Sequence, residues 1–86
     1  EYGRYGIRVN CIAPGWHGGT RLSVDAGVKR SEEEKRVFEQ LIVDRTPMRR
    51  RGYPRELKGL LLYLASDSAS FVTGQIIAHD GGWTCW

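Results

Sequence analysis

The sequence predicts an α/β fold in which two parallel strands are separated by helices. Two stretches, residues 7–13 and 75–79, have the composition of strands, and residues 32–44 and 54–65 between them have apolar side chains at helical spacing. Parallel strands need a long crossover connection, which is usually helical. The order strand, helix, helix, strand therefore indicates parallel neighbours in a sheet covered by helices.

The first strand follows a short opening segment. Residues 1–6 (EYGRYG) are typical of a helix end, because their glycines suit left-handed caps. Residues 7–13 then alternate, with Val9 and Cys11 on one face and Asn10 on the other, which is the period of a strand. Pro14 then ends the predicted strand.

The loop after the first strand, PGWHGGT, contains three glycines in seven residues. Sheets of parallel strands bind ligands beyond the carboxyl ends of their strands, and this loop leaves the first strand at that end. Glycine lets a backbone approach another group closely. The loop is therefore predicted to hold a ligand.

The first helix is predicted over residues 32–44. Ser31 and Glu34 form a capping-box pattern, in which each side chain accepts a hydrogen bond from a free backbone N–H at the helix start. Four apolar residues then share one helical face: Val37, Phe38, Leu41 and Ile42.

The second helix is predicted to begin at Pro54, where the missing N–H costs nothing, and to end near Ala65. Gly59 inside it predicts close packing at that point. Residues 75–79 (QIIAH) are predicted to form a short buried strand. Asp80 is predicted to bond nearby N–H groups in the turn that follows.

Composition indicates one small globular domain. The 86 residues are 41% hydrophobic and 27% charged, with a net charge of +3 that is concentrated in residues 45–55. A basic cluster such as Arg49 to Arg51 can contact phosphates, so a nucleic-acid-binding module is one alternative. Loop breakers surround the cluster and no nucleic-acid-binding motif accompanies it, so a solvated loop or a subunit contact is favoured.

Membrane insertion and metal binding are not expected. The longest apolar run, residues 60–65, is far shorter than the roughly 20 residues that span a bilayer. Cys11 and Cys85 form no disulfide framework, which predicts a reducing, cytoplasmic location. Neither cysteine lies at metal-ligand spacing from another candidate ligand.

Several segments together resemble the C-terminal third of the short-chain dehydrogenases/reductases. The resemblance extends from about residue 5 to residue 83, apart from a variable stretch near 21–44. The matching motifs occur in the family's order and spacing: Asn10, Pro14-Gly15, Arg49 to Gly52, Leu64 to Asp67, Thr73-Gly74 and Asp80 to Gly82.

This resemblance implies a Rossmann-type, doubly wound parallel sheet. Residues 1–86 would be the C-terminal segment of a single NAD(P)-binding domain and would supply the last two strands with their flanking helices. The implied cofactor is NAD or NADP, and the implied reaction is hydride transfer between nicotinamide and a small-molecule alcohol or ketone. A homo-oligomer is also implied. Nucleic acid and membrane are not expected as partners, for the reasons of charge and apolar length given above.

The resemblance also implies site residues. Pro14, Gly15 and the backbone near His17 would contact the nicotinamide, and Thr20 would bind its amide or the phosphates. The family spacing places that threonine four residues after the glycine, whereas Thr20 lies five after Gly15. Residues 21–47 would cover the substrate. Trp16 has two open interpretations, a substrate-pocket residue or a packing residue.

No catalytic residue is assigned. The family's catalytic serine and its Tyr-x-x-x-Lys pair are expected upstream, since none of the four tyrosines here has a lysine four positions later. The chain alone is predicted to be inactive. An alternative is a truncated, non-catalytic homologue that acts as an interaction or oligomerisation module. His17 is interpreted as a loop residue that offers its backbone, and His79 as a packed or interfacial residue.

Overall fold

The computed structural model describes residues 1–18 and 30–85. In these residues β1 (Cys11–Pro14) and β2 (Ile76–His79) form a parallel two-stranded sheet. Cys11 is opposite Ile76, and Pro14 is opposite His79. The prediction of parallel strands joined through helices is confirmed, and both strands end at the same edge of the sheet.

The first strand is shorter than predicted. It was expected over residues 7–13, but the strand begins at Cys11. The Asn10 side chain takes part in hydrogen bonds just before that point: Nδ2 donates to the Val72 carbonyl at 3.0 Å, and Oδ1 accepts from the Gln75 N–H at 3.1 Å. A side-chain amide thus joins the two segments where the prediction placed regular strand pairing.

The first helix, α1 (Glu32–Arg45), agrees with the prediction to within one residue. The Ser31 hydroxyl accepts a hydrogen bond from the Glu34 N–H at 3.1 Å, so the predicted cap is present. Ile42 is the one residue of the predicted apolar face that is fully buried. At the other end, the buried Thr46 hydroxyl donates to the Ile42 carbonyl at 2.6 Å.

The second helix, α2 (Leu57–Ala65), follows a 3-10 turn at Pro54–Glu56. Pro54 opens this helical segment as predicted. Leu64 is buried. The prediction of close packing at Gly59 is wrong, because a Cβ placed there would meet nothing within 4 Å.

Further 3-10 turns occupy Gly3–Tyr5, Asp67–Ala69 and Trp83–Cys85. Gly6 caps the first of them in the left-handed region, with φ of 78°, as the sequence predicted.

Much apolar surface of the described chain faces solvent. The prediction of a buried last strand is wrong: no residue of β2 is fully buried, and Ile76 is 77% exposed. The Cα radius of gyration is 16.3 Å, whereas a compact domain of this length has about 12 Å. No residue of either strand is fully buried, so the sheet keeps apolar side chains in contact with solvent.

Candidate functional site

The predicted ligand loop does leave the sheet at the carboxyl ends of both strands. The Gly15 N–H donates to the His79 carbonyl at 3.1 Å, so the loop is still paired with β2 one residue beyond β1. A Cβ on Gly15 would lie 2.6 Å from the Asp80 Cβ and 2.9 Å from its Cα. The closeness of Asp80, in the segment after β2, therefore requires glycine at residue 15.

His17 turns its side chain inward and is 8% exposed. Its Nδ1 lies 3.2 Å from the Gly15 carbonyl oxygen, and its Nε2 lies 3.1 Å from Nδ1 of His79. The planes of the two rings are 24° from parallel and their centroids are 5.2 Å apart. The backbone carbonyl of His17 accepts a bond from Arg51 at 3.4 Å. The sequence predicted a role for the backbone near His17, but no local pattern indicated the contacts of its ring with Gly15 and His79.

Gly52 holds the loop from the opposite side. The Gly18 N–H donates to the Gly52 carbonyl, and the Gly52 N–H donates to the Trp16 carbonyl, both at 3.0 Å. A Cβ on Gly52 would lie 2.7 Å from Cδ2 and Nε2 of His17. The loop is therefore held by β2 on one side and by Gly52, which lies between α1 and α2, on the other.

Trp16 packs among aromatic and cationic side chains. Its ring meets Phe38 edge-on at a centroid distance of 5.6 Å and Trp83 at 5.7 Å. The Arg51 guanidinium lies 5.8 Å from the ring centroid. Trp16 nevertheless remains 38% exposed, so packing accounts for part of its surface and the rest faces open clefts.

Two clefts adjoin the loop. The smaller, of about 370 Å³, is bordered by Pro14, Gly15, Trp16, Ala78 and Asp80 among others. The larger, of about 740 Å³, is bordered by both histidines and by Arg50, Gly52 and Glu56, which precede α2. Trp16 and Asp80 border both clefts. The predicted site residues that the structure describes thus divide between two clefts of ligand size: Pro14 and Gly15 border the smaller, His17 the larger, and Trp16 both.

Asp80 is a turn residue, as predicted. Its Oδ2 accepts from the Thr84 hydroxyl at 2.7 Å and from the Thr84 N–H at 3.1 Å, and its Oδ1 accepts from the Gly82 N–H at 3.0 Å. The Thr84 hydroxyl bond, followed by these backbone bonds, lowers the pKa of Asp80 below its ordinary value. The carboxylate therefore stabilises the turn beside the clefts.

The three consecutive arginines all contact acidic residues or their carbonyls. Arg50 forms two bonds with Glu56, at 2.7 and 2.9 Å. Arg51 Nε lies 2.8 and 2.9 Å from the two carboxylate oxygens of Glu39. Arg49 donates to the Asp44 carbonyl at 2.7 Å. Each of these three guanidinium groups thus has a partner within the chain.

The pKa of the Glu56 carboxyl is strongly lowered. The side-chain bond from Arg50 and the backbone N–H of Tyr53 lower the pKa of Glu56 to about 2. The Glu56 carboxylate therefore fixes the start of the helical segment and orients Arg50 at the rim of the larger cleft.

Thr20 and residue 19 lie outside the described residues, as do residues 21–29 of the predicted substrate cover. Across residues 1–18 and 30–85, no three His, Cys, Asp or Glu side chains are grouped to hold a metal ion. No helix within those two ranges has both the length and the apolar character needed to cross a bilayer.

Residues 1–84 match the family model described as enoyl-(acyl carrier protein) reductase. The chain belongs to that family, within the short-chain dehydrogenases/reductases. This confirms the resemblance seen in the sequence motifs and agrees with the α/β fold class predicted from the order of strands and helices.

Relatives within the short-chain dehydrogenase/reductase family include a galactitol 2-dehydrogenase (L-tagatose-forming) of Cereibacter sphaeroides. It is 42% identical over 86 residues, which is 100% of this chain and 31% of that protein. A gluconate 5-dehydrogenase from Burkholderia cenocepacia, solved in complex with NADP and tartrate, has a TM-score of 0.81 and 35% identity over 99% of this chain and 31% of its own.

A second similar structure is a 4-hydroxyisoleucine dehydrogenase mutant complexed with NADH and succinate. Its TM-score is 0.83, with 29% identity over 99% of this chain and 32% of its own. The short-chain dehydrogenases/reductases that resemble this chain therefore include complexes with either nicotinamide cofactor. The chain spans about a third of the length of these relatives.

Proposed function

We propose that this chain is the C-terminal part of an NAD(P)-dependent oxidoreductase that transfers hydride between nicotinamide and an alcohol or carbonyl group. The observation that carries the proposal is the loop of Pro14 to Gly18, which is bonded on both sides and borders a cleft at the carboxyl ends of parallel strands. Family membership supports the same conclusion. When bound, the nicotinamide accepts or donates the hydride.

The described residues fit a flat, mostly apolar ring. The smaller cleft is bordered by Pro14, Trp16, Ala78 and Trp83, and Thr84 adds a polar group. In this proposal Pro14, Gly15 and the backbone near His17 contact the nicotinamide. Thr20 contributes a hydroxyl to the same cofactor.

The loop's role is to hold its binding groups in place before the cofactor arrives. Its backbone is bonded to β2 through Gly15 and to the segment before α2 through Gly18. A loop that is already ordered loses little conformational freedom on binding.

Residues 21–47, of which the structure describes 30–47, are proposed to cover the substrate.

A small polyhydroxylated alcohol or its ketone is the proposed substrate class. The similar galactitol and gluconate dehydrogenases support this assignment by their names. Trp16 keeps part of its ring exposed at both clefts, and we propose that this part contacts the carbon skeleton of the substrate. The proton-transfer groups are proposed to lie elsewhere in a longer protein, since no Tyr-x-x-x-Lys occurs in residues 1–86.

The direct test uses the longest natural polypeptide that contains these residues. It should be assayed with galactitol and gluconate, each with NAD and with NADP, by following the absorbance of the reduced nicotinamide. Turnover is expected with at least one pair. The proposal fails if a protein with an intact serine, tyrosine and lysine oxidises or reduces no alcohol or carbonyl with either cofactor.

A second candidate is a non-catalytic homologue that acts as an interaction or oligomerisation module. Exposed apolar side chains favour it: Ile76 is 77% exposed, Leu62 69% and Phe71 101%. Such surface favours association. The intact mass of the natural polypeptide separates the candidates, because a mass equal to the 9.8 kDa of this chain would support the module and a larger mass the oxidoreductase.

A further inference from the structure

Two histidines that are 62 residues apart in the chain form a hydrogen bond at the end of the sheet. His79 is the last residue of β2, and His17 lies in the loop that follows β1. The contact joins Nε2 of His17 to Nδ1 of His79 at 3.1 Å. Neither ring is otherwise required by the proposed binding of the cofactor.

The surroundings determine which nitrogen carries the proton. A carbonyl oxygen only accepts, so Nδ1 of His17, at 3.2 Å from the Gly15 carbonyl, must be the donor. In neutral His17 the other nitrogen, Nε2, is then an acceptor. Nδ1 of His79 must therefore carry a hydrogen and donate to it. When both imidazoles are neutral, each thus carries its hydrogen on Nδ1.

Gly52 keeps the His17 ring in this position. Any side chain at residue 52 would begin 2.7 Å from the ring atoms Cδ2 and Nε2. The ring therefore lies between the backbone of Gly52 and the ring of His79, with 8% of the residue exposed. It has little freedom to choose another partner.

His79 also holds the loop through its backbone, since its carbonyl accepts from the Gly15 N–H at 3.1 Å. We propose that His79 is a positioning residue, whose side chain orients the 14–18 loop for the cofactor by bonding the imidazole of His17. This inference rests on the proposed function, because the loop is assigned to the nicotinamide there. His79 touches no reacting atom in this arrangement.

The first test replaces the His79 ring in the longest natural protein that contains this chain. His79→Val removes the bond, whereas His79→Asn keeps an N–H close to the position of Nδ1. The KM for NADH or NADPH should rise about threefold to tenfold in the valine variant, which is the effect of losing one hydrogen bond. The asparagine variant should stay within about twofold of the wild type, and the substrate KM should change little in both.

A second variant checks that the effect passes through His17. Gly52→Ala places a methyl group where the His17 ring lies, so it should raise the cofactor KM as well. Because both changes act on one bond, the double variant should be no worse than the poorer single variant. Equal cofactor KM values in wild type and His79→Val, at unchanged thermal stability, would overturn the inference.

Nitrogen-15 NMR of the imidazoles gives a readout that does not depend on activity. Nδ1 of His17 should show the signal of a protonated nitrogen and Nε2 that of an unprotonated one, and His79→Val should alter the His17 pattern. The opposite tautomer of His17 would overturn the inference.

A protein that shows the expected tautomer but binds neither NADH nor NADPH would refute the proposed function, and the positioning role with it. Cofactor binding with the wrong tautomer would refute the inference alone.

Discussion

Replacing Gly15 by alanine distinguishes two reasons for a glycine in the loop. The sequence suggests that glycine lets the backbone approach a nicotinamide ring. The structure shows a second reason, because the new Cβ would lie 2.6 Å from the Asp80 Cβ and 2.9 Å from the Asp80 Cα. The Asp80 Cα belongs to the backbone and cannot rotate away.

The cost follows from these distances. Ordinary contact begins at 3.4 Å, so the Asp80 Cβ lies 0.8 Å too close and the two chain segments must separate. The bond from the Gly15 N–H to the His79 carbonyl, now 3.1 Å, would be stretched or lost. Overpacking costs about 1–3 kcal/mol, and one hydrogen bond about 0.5–1.5 kcal/mol. We expect the free energy of unfolding to fall by about 2 kcal/mol or more.

Gly18→Ala is the matched control in the same loop. Its Cβ would meet only the Arg51 Cδ, at 3.6 Å, which is ordinary contact. Alanine there should be neutral or should stabilise by about 0.4–1 kcal/mol through the unfolded state. The assay is guanidinium unfolding of the intact protein, with the cofactor KM measured in parallel. If Gly15→Ala raises the cofactor KM but unfolds at the same denaturant concentration as Gly18→Ala, contact with Asp80 is not the reason for the glycine.

Two further predictions concern Thr46, at the C-terminal end of α1, and Glu56, in the 3-10 turn before α2. Thr46→Val removes the hydroxyl that donates to the Ile42 carbonyl at 2.6 Å and should lower the free energy of unfolding by about 1 kcal/mol. Urea unfolding measures it, and a valine variant as stable as the wild type would contradict it. Arg50 and the Tyr53 N–H lower the pKa of Glu56 from 4.5 to about 2, so its stabilising effect is present above pH 4.5 and is lost as the pH falls towards 2. The unfolding midpoint of Glu56→Gln, measured between pH 7 and this acid range, should therefore depend less on pH than that of the wild type. Parallel curves for the two proteins would refute the assignment.

The elements that depend on neighbouring residues were predictable from the sequence. The cap at Ser31 and the end of β1 at Pro14 involve residues a few positions apart. The turn at Asp80 has the same local character, since it closes on Gly82 and Thr84. Local hydrogen bonds and backbone preferences decide these features, and both can be inferred from a short window of sequence.

Burial was less predictable, because it depends on what lies across the fold. Ile76 has the sequence pattern of a buried strand and Gly59 that of a close helix contact, yet Ile76 is exposed and Gly59 has open space beside it. An apolar side chain indicates that burial is favourable, but the position of other elements decides whether a partner is present. Amino-acid composition alone does not determine where those other elements lie.

The sequence by itself determined the fold class, the family motifs and the position of the glycine-rich loop that we propose holds the cofactor. Only the tertiary structure decided how that loop is held. His17 meets His79 and Gly52 because the parallel register places Pro14 beside His79 and the segment before α2 packs across the loop. These contacts join residues far apart in the chain, and their formation depends on the geometry of the whole fold, which no local pattern of residues encodes.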